Sequence, residues 1–214
     1  MPAVTNLLIV LLILTNLWLV SSSRLVACIH AITIQAMILG LLPILRYWPA
    51  WDTRLILISL ASVLIKGWAL PWLLRRSAMR AGARRELSPI VGYGLSMIIA
   101  LGLLGLCFVI SDPLKMSGQK VPDLVIPAAM FTLCCGMFLI IARKSAVAQV
   151  LGFLAMENGI YAFGMAFALR EPLLVEMGSI LDVFAVVFVM GITIHHISRE
   201  FDHIETDRLS LLKD

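Results

Sequence analysis

From Leu151 to Ile192 the chain reads LGFLAMENGIYAFGMAFALR, then Glu171-Pro172, then LLVEMGSILDVFAVVFVMGI. Two almost wholly apolar runs, each about as long as the ~20 residues a helix needs to cross a bilayer at ~1.5 Å per residue, are joined only by Arg170 to Pro172. Such a short connection leaves no room for a soluble domain, so the pair reads as a membrane hairpin. Each run carries a carboxyl group near its middle, Glu157 in the first and Asp182 in the second.

The same pattern continues toward the N-terminus. Seven stretches have span length: 2 to 20, 25 to 45, 53 to 74, 90 to 111, 123 to 142, 147 to 169 and 173 to 198. The first has no basic residue before Leu7 and runs through Ser-Ser-Ser-Arg straight into the second, so it is expected to be a helix of the mature chain and not a signal peptide. Composition agrees: 61% of the 214 residues are apolar, 14% are charged, and mean hydropathy is +0.99. A soluble domain is about 45–50% apolar and about 25% charged, so both a soluble fold and disorder are excluded. The expected fold is all-α, a polytopic integral membrane bundle of about seven helices.

Basic residues alternate between two sides of this bundle. Arg46, Arg54, Lys115, Lys120 and Arg170 fall on one, and Arg24, Arg75, Arg76, Arg80, Arg84, Arg85, Arg143, Lys144, Arg199, Arg208 and Lys213 on the other. Because basic loops are retained in the cytoplasm, the N-terminus is expected outside and the C-terminus in the cytoplasm. The net charge of +4 thus sets topology, and no nucleic-acid partner is implied. The five arginines between Arg75 and Glu86 read as a topological anchor, with anionic lipid headgroups or an acidic partner as the alternative. The chain divides into a three-helix region 1–88, a linking helix and outer loop 89–122, a second three-helix region 123–198 and a tail 199–214. In this 3+1+3 order the first and fifth spans run in the same direction, and Gln35 of the second span stands where Glu157 stands in the sixth.

Three ionisable residues lie near the middle of spans: Lys66, Glu157 and Asp182. Each costs about 2.5–3.5 kcal/mol there, so each calls for a partner or a role. A carboxyl group alone in a low-dielectric bundle stays protonated, whereas beside an ammonium it is held ionised. A group switched between these states by a moving partner transfers protons; the bland alternative is a static pair that holds helix register. Tyr161, one turn above Glu157 on the same face, is a candidate relay or hydrogen-bond partner. Glu176 is a candidate either for the path or for the start of its helix. His195 and His196, at the cytoplasmic end of the last span, suit proton entry, although as neighbours they cannot both face the core. His30 and Gln35 are expected to hydrogen-bond between helices. Gly152, Gly159 and Gly164 are expected to let helices approach closely. Cys28, Cys107, Cys134 and Cys135 sit in apolar runs without metal-site or disulfide spacing, and Trp18, Trp48, Trp51, Trp68 and Trp72 read mostly as an aromatic belt. No phosphate loop or nucleophile motif is present, so no catalysis is expected from this chain alone.

The Met156-Glu157-Asn158-Gly159 core, the run Leu174-Val175-Glu176-Met177-Gly178 and the following Asp182-Val183-Phe184-Ala185-Val186 resemble the membrane component E of hydrogenase-4-type complexes. Leu64-Ile65-Lys66 with Leu70-Pro71, together with chain length and span count, extends the resemblance to most of the chain. Over its last three helices that family is similar to the K-type subunit of respiratory complex I and the C-type subunit of multisubunit sodium/proton antiporters. The resemblance implies a non-catalytic subunit of an energy-converting oxidoreductase in a bacterial or archaeal cytoplasmic membrane; the alternatives are a purely structural membrane-arm subunit and a stand-alone ion transporter. Its implied partners are antiporter-like membrane subunits and cytoplasmic redox subunits. No cofactor is implied in this chain; iron–sulfur clusters and a nickel–iron centre would lie in those partners. Glu157 then matches the intramembrane glutamate of the middle K-type helix. The second K-type glutamate would fall near Ile192 or Thr193, with Asp182 as its substitute about three turns away. The tail from Arg199, with Phe201, Ile204, Leu209, Leu211 and Leu212, is either a docking segment or a frayed end.

Overall fold

The computed structural model describes residues 2–46, 60, 63–80, 90–114 and 124–167, and among these there is no β-strand. Helix α1 spans Pro2–Ser21 and α2 spans Leu25–Arg46. A π-helical turn, Ile65–Ala69, runs directly into α3, Leu70–Arg80. Helix α4 covers Tyr93–Ser111 and closes in a short 3-10 turn, Asp112–Leu114. Helices α5, Val125–Ala142, and α6, Ala146–Phe167, complete the described part of the bundle.

Four of these helices are long and apolar enough to cross a membrane, over Ala3–Ser21, Leu25–Pro43, Tyr93–Leu114 and Val125–Ala142. They coincide within a few residues with the expected spans. The sixth expected span appears as α6, whose apolar run is interrupted by Glu157 and Asn158. The expected span 53–74 is described only in its second half, and 173–198 lies outside the described residues together with the tail.

Local chemistry explains where the helices begin and end. Pro127 stands in the first turn of α5, where a missing N–H costs nothing, and Pro43 stands in the last turn of α2, three residues before that helix stops. Arg143 breaks α5 in an extended conformation, and the Ser145 hydroxyl then caps α6 by accepting from the Ala148 N–H at 3.3 Å.

Helix α5 is the centre of the bundle, with Phe131, Thr132, Cys135, Gly136 and Leu139 among its buried residues. It packs most closely on α6, and it also meets α1 and α4. Between lipid-solvated helices there is little hydrophobic drive, so close backbone packing must supply the attraction. Glycines permit it here. A Cβ added at Gly136 would run into the backbone nitrogen of Met156, and one at Gly159 into that of Leu133; at Gly152 it would lie 2.8 Å from the Gly136 carbonyl oxygen. Gly152 and Gly159 therefore do what the sequence suggests. At Gly164 a Cβ meets nothing within 4 Å among the described residues, and the expected last span lies outside them.

Helices α1 and α2 lie against this pair, α1 on α5 and α2 on α6, while α4 sits at the rim. Ile98, Val109 and Ile141 are about 70% exposed (67%, 70% and 71%), as expected of residues that face lipid or a neighbouring subunit. Trp18, Trp68 and Trp72 are likewise exposed; Trp48 and Trp51 lie outside the described residues.

Candidate functional site

Lys66 and Glu157 meet. The Lys66 Nζ stands 3.2 Å from Glu157 Oε1, with the two side chains 10% and 2% exposed. The contact depends on the π-helical turn that carries Lys66, a geometry found often at functional sites. That turn packs on α2 and on α3: a Cβ at Gly67 would touch the Met37 side chain at an ordinary 3.8 Å. Lys66 thus reaches Glu157 while riding on α2.

Tyr161 completes the surroundings, one turn beyond Glu157 as its spacing suggests. The ammonium lies 5.5 Å from the centroid of its ring, a cation–π distance. Lys66, Asn158 and Tyr161 line a small cavity with Ala36, Leu39 and Gly40 of α2. It is small, with room for about one water molecule.

A run of amides joins the site to the rest of the bundle. Asn158 Nδ2 donates to Gln35 Oε1 at 3.5 Å, and Gln35 Nε2 donates to Asn16 Oδ1 at 3.0 Å. Asn16 Nδ2 donates to Thr132 Oγ1 at 2.8 Å and to the Leu12 carbonyl at 2.9 Å, and Thr132 Oγ1 donates to the Ala128 carbonyl at 2.7 Å. All four side chains are buried, and they come from α6, α2, α1 and α5. Gln35 therefore bonds between helices as its sequence position suggests. Among the described residues His30 makes no such bond: it lies on the exposed side of α2, because five residues at ~100° each turn it to a different face from Gln35. Asn16 and Thr132 escape the sequence reading, although an amide inside an apolar run is itself a signal.

Arg143 corrects a second expectation. Counted among the topological anchors, it is instead fully buried, and burial pushes its guanidinium below its ordinary pKa. Its Nη2 donates to the Val20 carbonyl at the end of α1 at 2.8 Å, and the guanidinium stacks 4.5 Å from the Tyr93 ring of α4. The side chain straps α1 and α4 to the end of α5. Arg143→Lys keeps the charge but loses the planar stack and the reach, so it is expected to cost about 1–2 kcal/mol. Thermal unfolding of the solubilised protein checks this, with an unchanged unfolding temperature as the contrary result.

The remaining candidates, Asp182, Glu176, His195 and His196, lie outside the described residues. What is described is an all-helical membrane protein with an ion pair and an amide network sealed inside its bundle. Residues 124–214 match the NADH-ubiquinone/plastoquinone oxidoreductase chain 4L family. The chain is 32% identical over 204 residues to the uncharacterized protein Rv0085 of Mycobacterium tuberculosis, covering 95% of this chain and 93% of that one. It is 25% identical over 163 residues to hydrogenase-4 component E of Escherichia coli K12, covering 75% of this chain and 74% of the relative, with the same figures for the Shigella flexneri protein. No solved structure matches. The chain belongs to one family with Rv0085; it is similar to hydrogenase-4 component E, and its residues 124–214 are similar to chain 4L. Glu157 lies inside the matched segment and Lys66 outside it.

Proposed function

We propose that this chain is a non-catalytic membrane subunit of an energy-converting, complex-I-like oxidoreductase of the hydrogenase-4 type, and that it forms part of the proton path. The observation that carries the reading is the buried Lys66–Glu157 pair at 3.2 Å. With Lys66 beside it, Glu157 is held as a carboxylate; with the ammonium withdrawn, a carboxylate in a low-dielectric bundle takes up a proton. Return of Lys66 expels that proton, for which the proposed acceptor is a water molecule in the small cavity lined by Lys66, Asn158 and Tyr161. Tyr161, Asp182, Glu176, His195 and His196 are proposed to extend this path. Antiporter-like membrane subunits and cytoplasmic redox subunits are the proposed partners, and the latter would hold the iron–sulfur and nickel–iron centres. The proposed location is the cytoplasmic membrane of a bacterium or archaeon.

A second reading, a structural subunit of the membrane arm, is favoured by the amide network, which binds helices and cannot change its protonation. Glu157→Gln in the native complex separates the two. For the proton-path reading, coupled proton transfer per assembled complex is expected to fall by about tenfold or more while redox turnover persists. Full coupling in the assembled variant would favour the structural reading. Recovery of the tagged chain from its host alone and folded, without partner subunits, would overturn both.

A further inference from the structure

We propose that Gln35 is a positioning residue for the Lys66–Glu157 pair, setting the register of α2 against α6, and that Asn16 supports it from α1. The inference rests on the proton-path reading of that pair and adds a role for the N-terminal hairpin, which lies outside the matched segment 124–214. The two members of the pair stand on elements that meet through α2. Lys66 belongs to the π-helical turn, which packs on α2, and Glu157 belongs to α6, which packs on the same helix. The separation of the two charges therefore depends on how α2 sits along α6.

Gln35 fixes that register. Its amide accepts from Asn158, the residue next to Glu157, and donates to Asn16, so it is held from both sides. The donors in this run point away from Glu157, toward α1 and α5, and the run ends on the Ala128 carbonyl. Amides neither gain nor lose protons at working pH, so the run is no proton route. An apolar residue at 35 removes these bonds, and sliding α2 by one residue moves Lys66 about 1.5 Å along Glu157, a large step for a 3.2 Å contact.

The test is a double-mutant cycle on the intact complex in native membrane vesicles. Dicyclohexylcarbodiimide attacks a protonated carboxyl group, and mass spectrometry of the peptide bearing Glu157 measures the extent. Lys66→Met is expected to raise labelling of Glu157 by about tenfold, by removing the ammonium that holds the carboxylate ionised. Gln35→Met is expected to raise it by about threefold while Lys66 is present, and to add nothing once Lys66 is methionine. A Gln35→Met effect of the same factor in both backgrounds means simple loosening of the bundle and overturns the proposal, as does no effect in either. If Lys66→Met leaves labelling unchanged, it is the proton-path reading of the pair that fails. Asn16→Leu carries the same cycle if Gln35→Met does not accumulate: the same non-additivity supports the proposal, and additivity or no effect overturns it.

Discussion

Gly136→Ala and Gly159→Ala are each expected to separate α5 from α6 and to cost about 3 kcal/mol or more, the upper end of what an added methyl group costs in a packed core. The reason is what the methyl group meets. At Gly136 it runs into the Met156 backbone nitrogen and at Gly159 into that of Leu133, and the backbone of a packed helix cannot turn aside as a side-chain tip does. The helices must part, and in lipid no hydrophobic force draws them back. The same shift displaces Glu157, which lies on α6 between Gly152 and Gly159, so the site loosens with the seam. Gly164→Ala is the control, because its methyl group meets nothing within 4 Å among the described residues and adds helix propensity. Thermal unfolding and yield of the solubilised complex read the effect. Equal stability of the Gly159 and Gly164 variants would show that the seam is not what holds the bundle.

The contrast between these glycines shows where sequence reading stops. Helix lengths were legible because span length is a local, one-dimensional property: expected spans 2–20 and 123–142 reappear as Pro2–Ser21 and Val125–Ala142. Glu157 and Lys66 were legible as charges in apolar surroundings, each expensive enough in lipid to need a reason. Their contact was not, because it is made by a π-helical turn and by α2, neither of which leaves a local mark. The same holds for Gly136 and Gly164, which look alike until the partner helix is in place. Arg143, beside Lys144 at the end of a span, reads as a loop anchor in any one-dimensional account. Only the packed bundle brings it back onto the Val20 carbonyl and Tyr93.

Lys66→Ala is expected to destabilise the protein by about 3–5 kcal/mol, the cost of leaving one member of a buried ion pair without its partner. Glu157, 2% exposed in the intact pair, is then left beside a void where a four-carbon stem and a charge had been. It can avoid the charge only by taking a proton, which reduces the loss without filling the space. Lys66→Met fills the space, and pairing it with Glu157→Gln removes both charges while leaving an amide that can hydrogen-bond. Replacing a buried ion pair by neutral side chains of similar size is often neutral or stabilising, so the double variant is expected to unfold within about 1 kcal/mol of the original. The two properties then come apart. If the charges serve only as glue, the double variant assembles and couples normally. If Glu157 carries protons, the double variant assembles, turns over its redox substrate and fails to couple, because neither methionine nor glutamine exchanges a proton in this range. Unfolding temperature and proton uptake, measured on the same preparation, separate a contact that stabilises from a contact that works.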